Sequence, residues 1–149
     1  MTDIRPMTAG DTAPVLDMMR AFYSSPAVLT NGSDEIFLRD IAACVGDSPY
    51  AEGYVFPAGE GLAGYAMAAK SWSTEFGCPC IWIEDLYIRP EYRGKGTGSA
   101  FLKFVEERYS GEAVRLRLEA EPENERAMAV YQKAGFEILG YTQLVKELA

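Results

Sequence analysis

The stretch from residue 80 to residue 120 constrains the fold more than any other part of this chain. Residues 80–88 are apolar on both faces, through Ile81, Trp82, Ile83, Leu86, Tyr87 and Ile88. A strand of that kind belongs at the centre of a sheet covered on both sides. Pro90 stops it, and Gly94, Gly96 and Gly98 follow at alternate positions. Residues 99–109 then place Phe101, Leu102, Val105 and Tyr109 on one helical face. Val114, Leu116 and Leu118 alternate with Arg115, Arg117 and Glu119, the period of a strand with one polar face. Strand, turn, helix and strand in this order form a right-handed crossover, so residues 80–88 and 113–120 are expected to run parallel.

The flanking segments extend this unit. Residues 2–7 read as a short strand, and Asp11 caps a helix bearing Val15, Leu16, Met18, Met19 and Phe22, with Pro14 in its first turn. Pro26, Asn31 and Gly32 mark residues 24–32 as a loop, and Ser33 caps a second helix through Phe37, Ile41 and Val45. Residues 54–56 and 62–68 read as a hairpin, and residues 71–79 as a loop. Asn124 starts a last helix, Gly135 ends it, and residues 136–139 and 143–148 read as two short final strands. The expectation is one α/β domain over residues 1–149. Its mixed, mostly antiparallel sheet has about seven strands, flanked by four helices.

Composition narrows the chemistry. The 149 residues include no histidine, so no serine–histidine or cysteine–histidine pair is available, and acid–base work falls to carboxylates, tyrosine, lysine or water. Cys44, Cys78 and Cys80 are odd in number and without a second cluster; no metal site is expected, and reduced thiols fit a cytoplasmic setting. Fourteen basic against 22 acidic side chains give a net charge of −8, which disfavours nucleic acid as a partner and favours cationic ones. No signal segment or membrane span is visible.

Within this acidic chain the turn Arg93-Gly94-Lys95-Gly96-Thr97-Gly98-Ser99 is locally basic. Glycines let backbone N–H groups approach a ligand closely, and the first turn of a following helix adds further donors suited to a pyrophosphate. The spacing departs from both the nucleoside-triphosphate loop and the dinucleotide fingerprint. Arg93-x-x-Gly96-x-Gly98 after a central strand resembles the acetyl-coenzyme A signature of the GCN5-related N-acetyltransferase superfamily. A second stretch, Asn124-x-x-Ala127-x-x-x-Tyr131-x-Lys133-x-Gly135-Phe136, is similar to that superfamily's later motif.

The resemblance implies acetyl-CoA as cosubstrate. It implies that backbone N–H groups from Arg93 through Ser99 hold the pyrophosphate, that Leu86, Tyr87 and Ile88 pair with the pantetheine arm, and that Asn124 bonds to that arm. Ala127 and Lys133 belong to the same cofactor-facing helix. Tyr131 would protonate the leaving thiolate, and the Leu86 N–H would face the oxyanion.

Glu84 and Asp85 interrupt the apolar strand, which a carboxylate does only with a reason. A carboxylate whose pKa is raised by burial can take a proton from an ammonium, so Glu84 is the expected base, with Asp85 beside it on the acceptor side. The alternative for the pair is an ion pair with Arg115 or Arg117. Glu84-Asp85-Leu86-Tyr87 and Gly64-Tyr65-Ala66-Met67 also resemble the diamine and polyamine branch of the superfamily. The expected acceptor is a small cationic amine, the rival readings being a protein amine or a non-catalytic coenzyme A binding module. A homodimer is also expected, with the apolar loop residues Trp72 and Phe76 among the candidates for its surface.

Overall fold

The computed structural model describes residues 3–29 and 32–148. Thr2 of the expected first strand and Asn31 of the expected loop lie outside them. Nine regular elements follow in chain order: β1 Arg5–Pro6, α1 Thr12–Tyr23, α2 Asp34–Val45, β2 Ala51–Ala58, β3 Gly61–Ser73, β4 Cys78–Ile88, α3 Thr97–Tyr109, β5 Arg115–Leu118 and α4 Glu125–Lys133. The sheet has the order β1-β2-β3-β4-β5. Its first three pairings are antiparallel and the last, Cys80–Ile83 against Arg115–Leu118, is parallel, as the crossover requires.

Helices cover both faces. On one, Val15, Met18 and Met19 of α1 fall three and four residues apart and bury against Val55, Tyr65, Met67 and Tyr87, with Phe37 and Ile41 of α2 beside them. On the other, Phe101, Leu102 and Val105 of α3 pack on Phe56, Ala66, Ile81 and Ile83. The helix starts have local causes. Asp11 stands at the N-cap of α1 but its carboxylate does not cap that helix; it reaches back to Arg5 in a two-pronged ion pair at 2.8 Å and accepts the Thr8 N–H, whereas the Ser33 hydroxyl caps α2 by accepting the Ile36 N–H.

Two expectations need correction. The loop over residues 71–79 is mostly strand, because β3 and β4 keep pairing out to Ser73↔Cys78 and leave only a tight turn with Gly77 in the left-handed region. The sheet also has five strands among the described residues, where about seven were expected. Residues 136–148 carry no strand pairing, turn or bend. Alternating apolar residues describe a strand only where a neighbour satisfies its backbone, and β5 remains an edge.

Candidate active site

The acidic pair sits on a β-bulge. In the β3–β4 ladder Ala68 pairs with Ile83 and Met67 with Asp85, so Glu84 has no partner. The extra residue reverses the alternation of side chains. Ile81 and Ile83 face α3, and beyond the bulge that role passes to Leu86 and Ile88, while Asp85 and Tyr87 turn toward α1 and α2. Asp85 is therefore 3% exposed, and Glu84 stays open to solvent.

Asp85 accepts the Tyr23 hydroxyl at 2.9 Å and the Tyr65 hydroxyl at 2.7 Å, so both of its oxygens are engaged. Burial pushes its carboxyl up to about 6 against those two bonds, with Asp40 and Glu84 adding repulsion. Burial and the adjacent Asp85 charge raise both tyrosines. Glu84 is raised as well, first by desolvation and then by Glu119 and Asp40, and desolvation raises Asp40. Asp40, Glu84, Asp85 and Glu119 thus gather near the end of the β4–β5 ladder. None of the four has an ion-pair partner among the described residues. The arginine alternative fails: the Arg115 guanidinium covers the Phe76 ring at 4.6 Å and Arg117 covers Trp82 at 4.2 Å.

Beyond Ile83 the strands part, since β5 ends at Leu118 while β4 continues to Ile88. Arg89 N–H donates to Ala63 at 2.7 Å, which turns the backbone groups of Tyr87 and Asp85 toward β3 and those of Leu86 and Ile88 the other way. The Arg93 Nε donates to the Ile88 carbonyl on that outer edge at 2.8 Å. A peptide-like arm can pair there, and the Leu86 N–H is a donor for a developing oxyanion.

The glycine turn closes the end of this edge. Gly94 and Gly96 have φ of 76° and 81°, the left-handed region that a side chain resists, and Gly96 caps α3. A Cβ built on Gly96 or Gly98 meets nothing within 4 Å, so the turn borders open space, as a cradle for a pyrophosphate must. Thr97 and Ser99 lie in the first turn of α3, and the Lys95 ammonium rests 5.6 Å from the Tyr92 ring. A third cation joins Arg93 and Lys95: the Arg126 guanidinium, from α4, would stand 3.4 Å from a Cβ on Gly94. Spacing along the chain gave no sign of Arg126, which only the docking of α4 brings to the turn. Tyr23 was equally hidden, as the last residue of a helix whose apolar period ends before it.

The Asn124 side-chain oxygen caps α4 by accepting the Ala127 N–H at 3.2 Å, which leaves its amide NH2 to donate elsewhere. Lys133 lies in the last turn of α4. Tyr131 is half-buried, edge-on to Phe136 at 6.2 Å between ring centres, and burial raises its hydroxyl pKa. Tyr131, Val130, Leu86 and Ile88 all pack against the same α3-side core. The structure thus gathers Leu86, Ile88 and Tyr131 around one core and sets the glycine turn at the end of their edge, while Glu84 and Asp85 approach from the bulge. No group of three or more Cys, Asp or Glu among the described residues is placed to hold a metal ion.

Residues 16–136 match the family described as Acetyltransferase (GNAT) family. The chain is 30% identical over 143 residues to the thialysine N-epsilon-acetyltransferase of Sus scrofa, covering 89% of this chain and 82% of that protein. It is 40% identical over 80 residues to the Bos taurus thialysine N-epsilon-acetyltransferase, covering 53% of this chain and 46% of the bovine one, so this match spans about half of each. Its fold is similar to that of an aminoglycoside N-acetyltransferase solved with CoA, at a TM-score of 0.82 and 18% identity over 100% of this chain and 96% of that one.

Proposed function

From the premise that the chain belongs to the acetyltransferase (GNAT) family, we propose that it carries the acetyl group of acetyl-CoA directly to the primary amine of a small cationic acceptor. Diamines, polyamines and basic amino acids of the thialysine type form that class. The observation that carries the acceptor side is the cluster Asp40, Glu84, Asp85 and Glu119. Four carboxylates without ion-pair partners favour a ligand that brings positive charge. The match to thialysine N-epsilon-acetyltransferases supports the same class.

Each residue has a distinct task. Acetyl-CoA supplies the activated acetyl carbon, and transfer makes the C–N bond to the acceptor as the C–S bond breaks. Glu84, solvent-open and raised, takes a proton from the acceptor ammonium, directly or through water, and frees the nitrogen lone pair. Asp85 cannot share that duty while two hydroxyls hold it, and serves as a fixed negative charge for the acceptor. The Leu86 N–H donates to the carbonyl oxygen as charge builds on it. Tyr131, which burial keeps protonated, gives its proton to the departing sulfur. Backbone N–H groups of residues 93–99, with Arg93, Lys95 and Arg126 near them, hold the pyrophosphate, and the Asn124 amide meets the arm. Tyr87, Ala127 and Lys133 complete that side. The free thiols Cys44, Cys78 and Cys80 fit a cytoplasmic enzyme, and no helix among the described residues is long and apolar enough to cross a membrane. A homodimer completes the reading.

The test is thiol release from acetyl-CoA with thialysine, lysine, spermidine, putrescine, an aminoglycoside and basic peptides. Turnover on the small amines that drops by about 10²-fold in Glu84→Gln is the expected result. Faster turnover on the peptides would move the acceptor to protein amines. Coenzyme A binding without turnover on any amine would make the chain a binding module.

A further inference from the structure

Two arginines share a sheet face with the acidic cluster and yet do not join it. In the parallel pair Cys80 is in register with Arg115 and Trp82 with Arg117, while Ile83 and Leu118 turn to the α3 core. Side chains alternate along a strand, so Trp82, Arg115 and Arg117 lie on the opposite face. Glu84 and Glu119 form the next step of that row, close enough for Glu119 to act on the Glu84 carboxyl. The core under α1 and α2 includes no residue of β5, and Trp82, Arg115 and Arg117 are only half-buried.

The two guanidinium groups differ in what holds them. Arg115 lies over Phe76 and 3.8 Å from the Glu75 carboxylate, which offsets its charge. Arg117 rests 4.2 Å from the centre of the Trp82 ring and has no ion-pair partner among the described residues. Glu119 is two residues along the same strand, roughly 7 Å at strand rise, and Trp82 keeps Arg117 clear of it. A guanidinium stacked on a ring keeps its planar fork of N–H donors, which matches a carboxylate with two parallel bonds.

There is room beside this fork. A cavity of about 190 Å³ is bordered by Ser71, Ser73, Thr74, Arg115 and Arg117, whose hydroxyls and guanidiniums are all donors, with Glu75 already facing Arg115. A wider cleft of about 850 Å³ borders Trp82, Arg117 and Glu119, so Arg117 lines both spaces. Along β4 the order is then the Leu86 N–H, the carboxylates Glu84 and Glu119, and the unpaired cation Arg117. An acceptor with its amine at Glu84 that extends away from Leu86 meets Arg117 next. A diamine would carry its second positive charge toward that guanidinium and be repelled, whereas an amino acid would bring a carboxylate. The four-carbon stem of a lysine-type side chain suits a separation of roughly 7 Å, one step of the row.

We propose that Arg117, positioned by Trp82, binds the carboxylate of the acceptor, which makes the preferred substrate an amino acid of the lysine type rather than a diamine or polyamine. The inference rests on the acceptor reading given above, with the amine at Glu84.

Thiol-release kinetics with lysine, lysine amide and cadaverine test it, since the amide masks the carboxylate and cadaverine lacks it. On the unaltered chain kcat/KM should be roughly tenfold higher for lysine than for the other two, with the difference in KM. Arg117→Gln should raise the KM for lysine about tenfold and change that for cadaverine less than about twofold, which erases the preference. Cadaverine or lysine amide used as well as lysine by the unaltered chain overturns the inference and leaves the transfer at Glu84 standing. This comparison needs no substitution, so a variant that misfolds does not obstruct it. A folded Arg117→Gln that loses activity on lysine and cadaverine alike also overturns it, because a merely structural role would act on both. No turnover on any amine overturns the transfer itself, and the inference with it.

Discussion

The two faces of the sheet, built around the same strand, carry polar groups of opposite sign. On the α1–α2 face a tyrosine- and methionine-rich core encloses Asp85, whose oxygens are held by Tyr23 and Tyr65. On the α3–α4 face the working groups are backbone N–H donors at the glycine turn and the open edge of β4, with Arg93, Lys95 and Arg126 alongside. The first face uses a buried side-chain charge, whose desolvation makes it sensitive to pH. The second uses backbone dipoles, which do not titrate. A protein with excess negative charge can thus hold an anion on one side of β4 and a cation on the other, because the anion's donors are mostly uncharged.

The sharpest way to break that contrast is Tyr131→Phe. It removes the acid on the α3–α4 face without altering the ring packed on Phe136, and kcat should fall by about 10²-fold or more, measured by thiol release. An unchanged kcat would take the acid off this face.

Asp85→Asn tests the other face and should raise the acceptor KM about tenfold, through loss of the attraction of a buried charge that the acceptor does not touch, while kcat falls less. Its effect on stability has a definite sign. The native carboxyl keeps its proton up to about 6, whereas an unfolded one releases it near 3.8, so wild-type stability declines as pH rises through that window. The decline amounts to roughly 3 kcal/mol and levels off above pH 6. Urea midpoints across pH 4 to 8 should show that slope in the wild type and a flatter profile in Asp85→Asn. The wild-type acceptor KM should rise below pH 6 as the anchor loses its charge.

A smaller effect follows from Gly96→Ala, which places a Cβ at φ 81°. A penalty of about 1–2 kcal/mol should weaken coenzyme A binding by up to about tenfold in calorimetry and leave acceptor selectivity alone. Smallest of all, Arg126→Ala should weaken the same binding by two- to threefold, with the difference fading at high salt.

Much of this arrangement was legible in the chain. The doubly apolar run of residues 80–88, the glycines after it and the alternation at 114–119 are local patterns, and local patterns specify strand, turn and crossover. The pair Glu84-Asp85 was visible as charge inside an apolar strand. Their division of labour was not, because it arises from a bulge against β3, and a bulge is a property of two strands. Tyr23, Tyr65 and Asp85 lie on three separate elements and meet only when α1 packs over β3 and β4. Residues 136–148 show the converse, since their pattern reads as strand while no neighbouring strand pairs with them among the described residues.

By itself, then, the sequence determined the crossover, the glycine-rich turn before α3, the absence of histidine chemistry and the family to which the chain belongs. These depend on residue identity and short-range spacing. Only the tertiary structure decided which carboxylate is buried, which cation reaches the turn and which sheet edge stays open. Each of those follows from the relative placement of elements far apart in the chain, where long-range packing fixes burial, and burial sets charge.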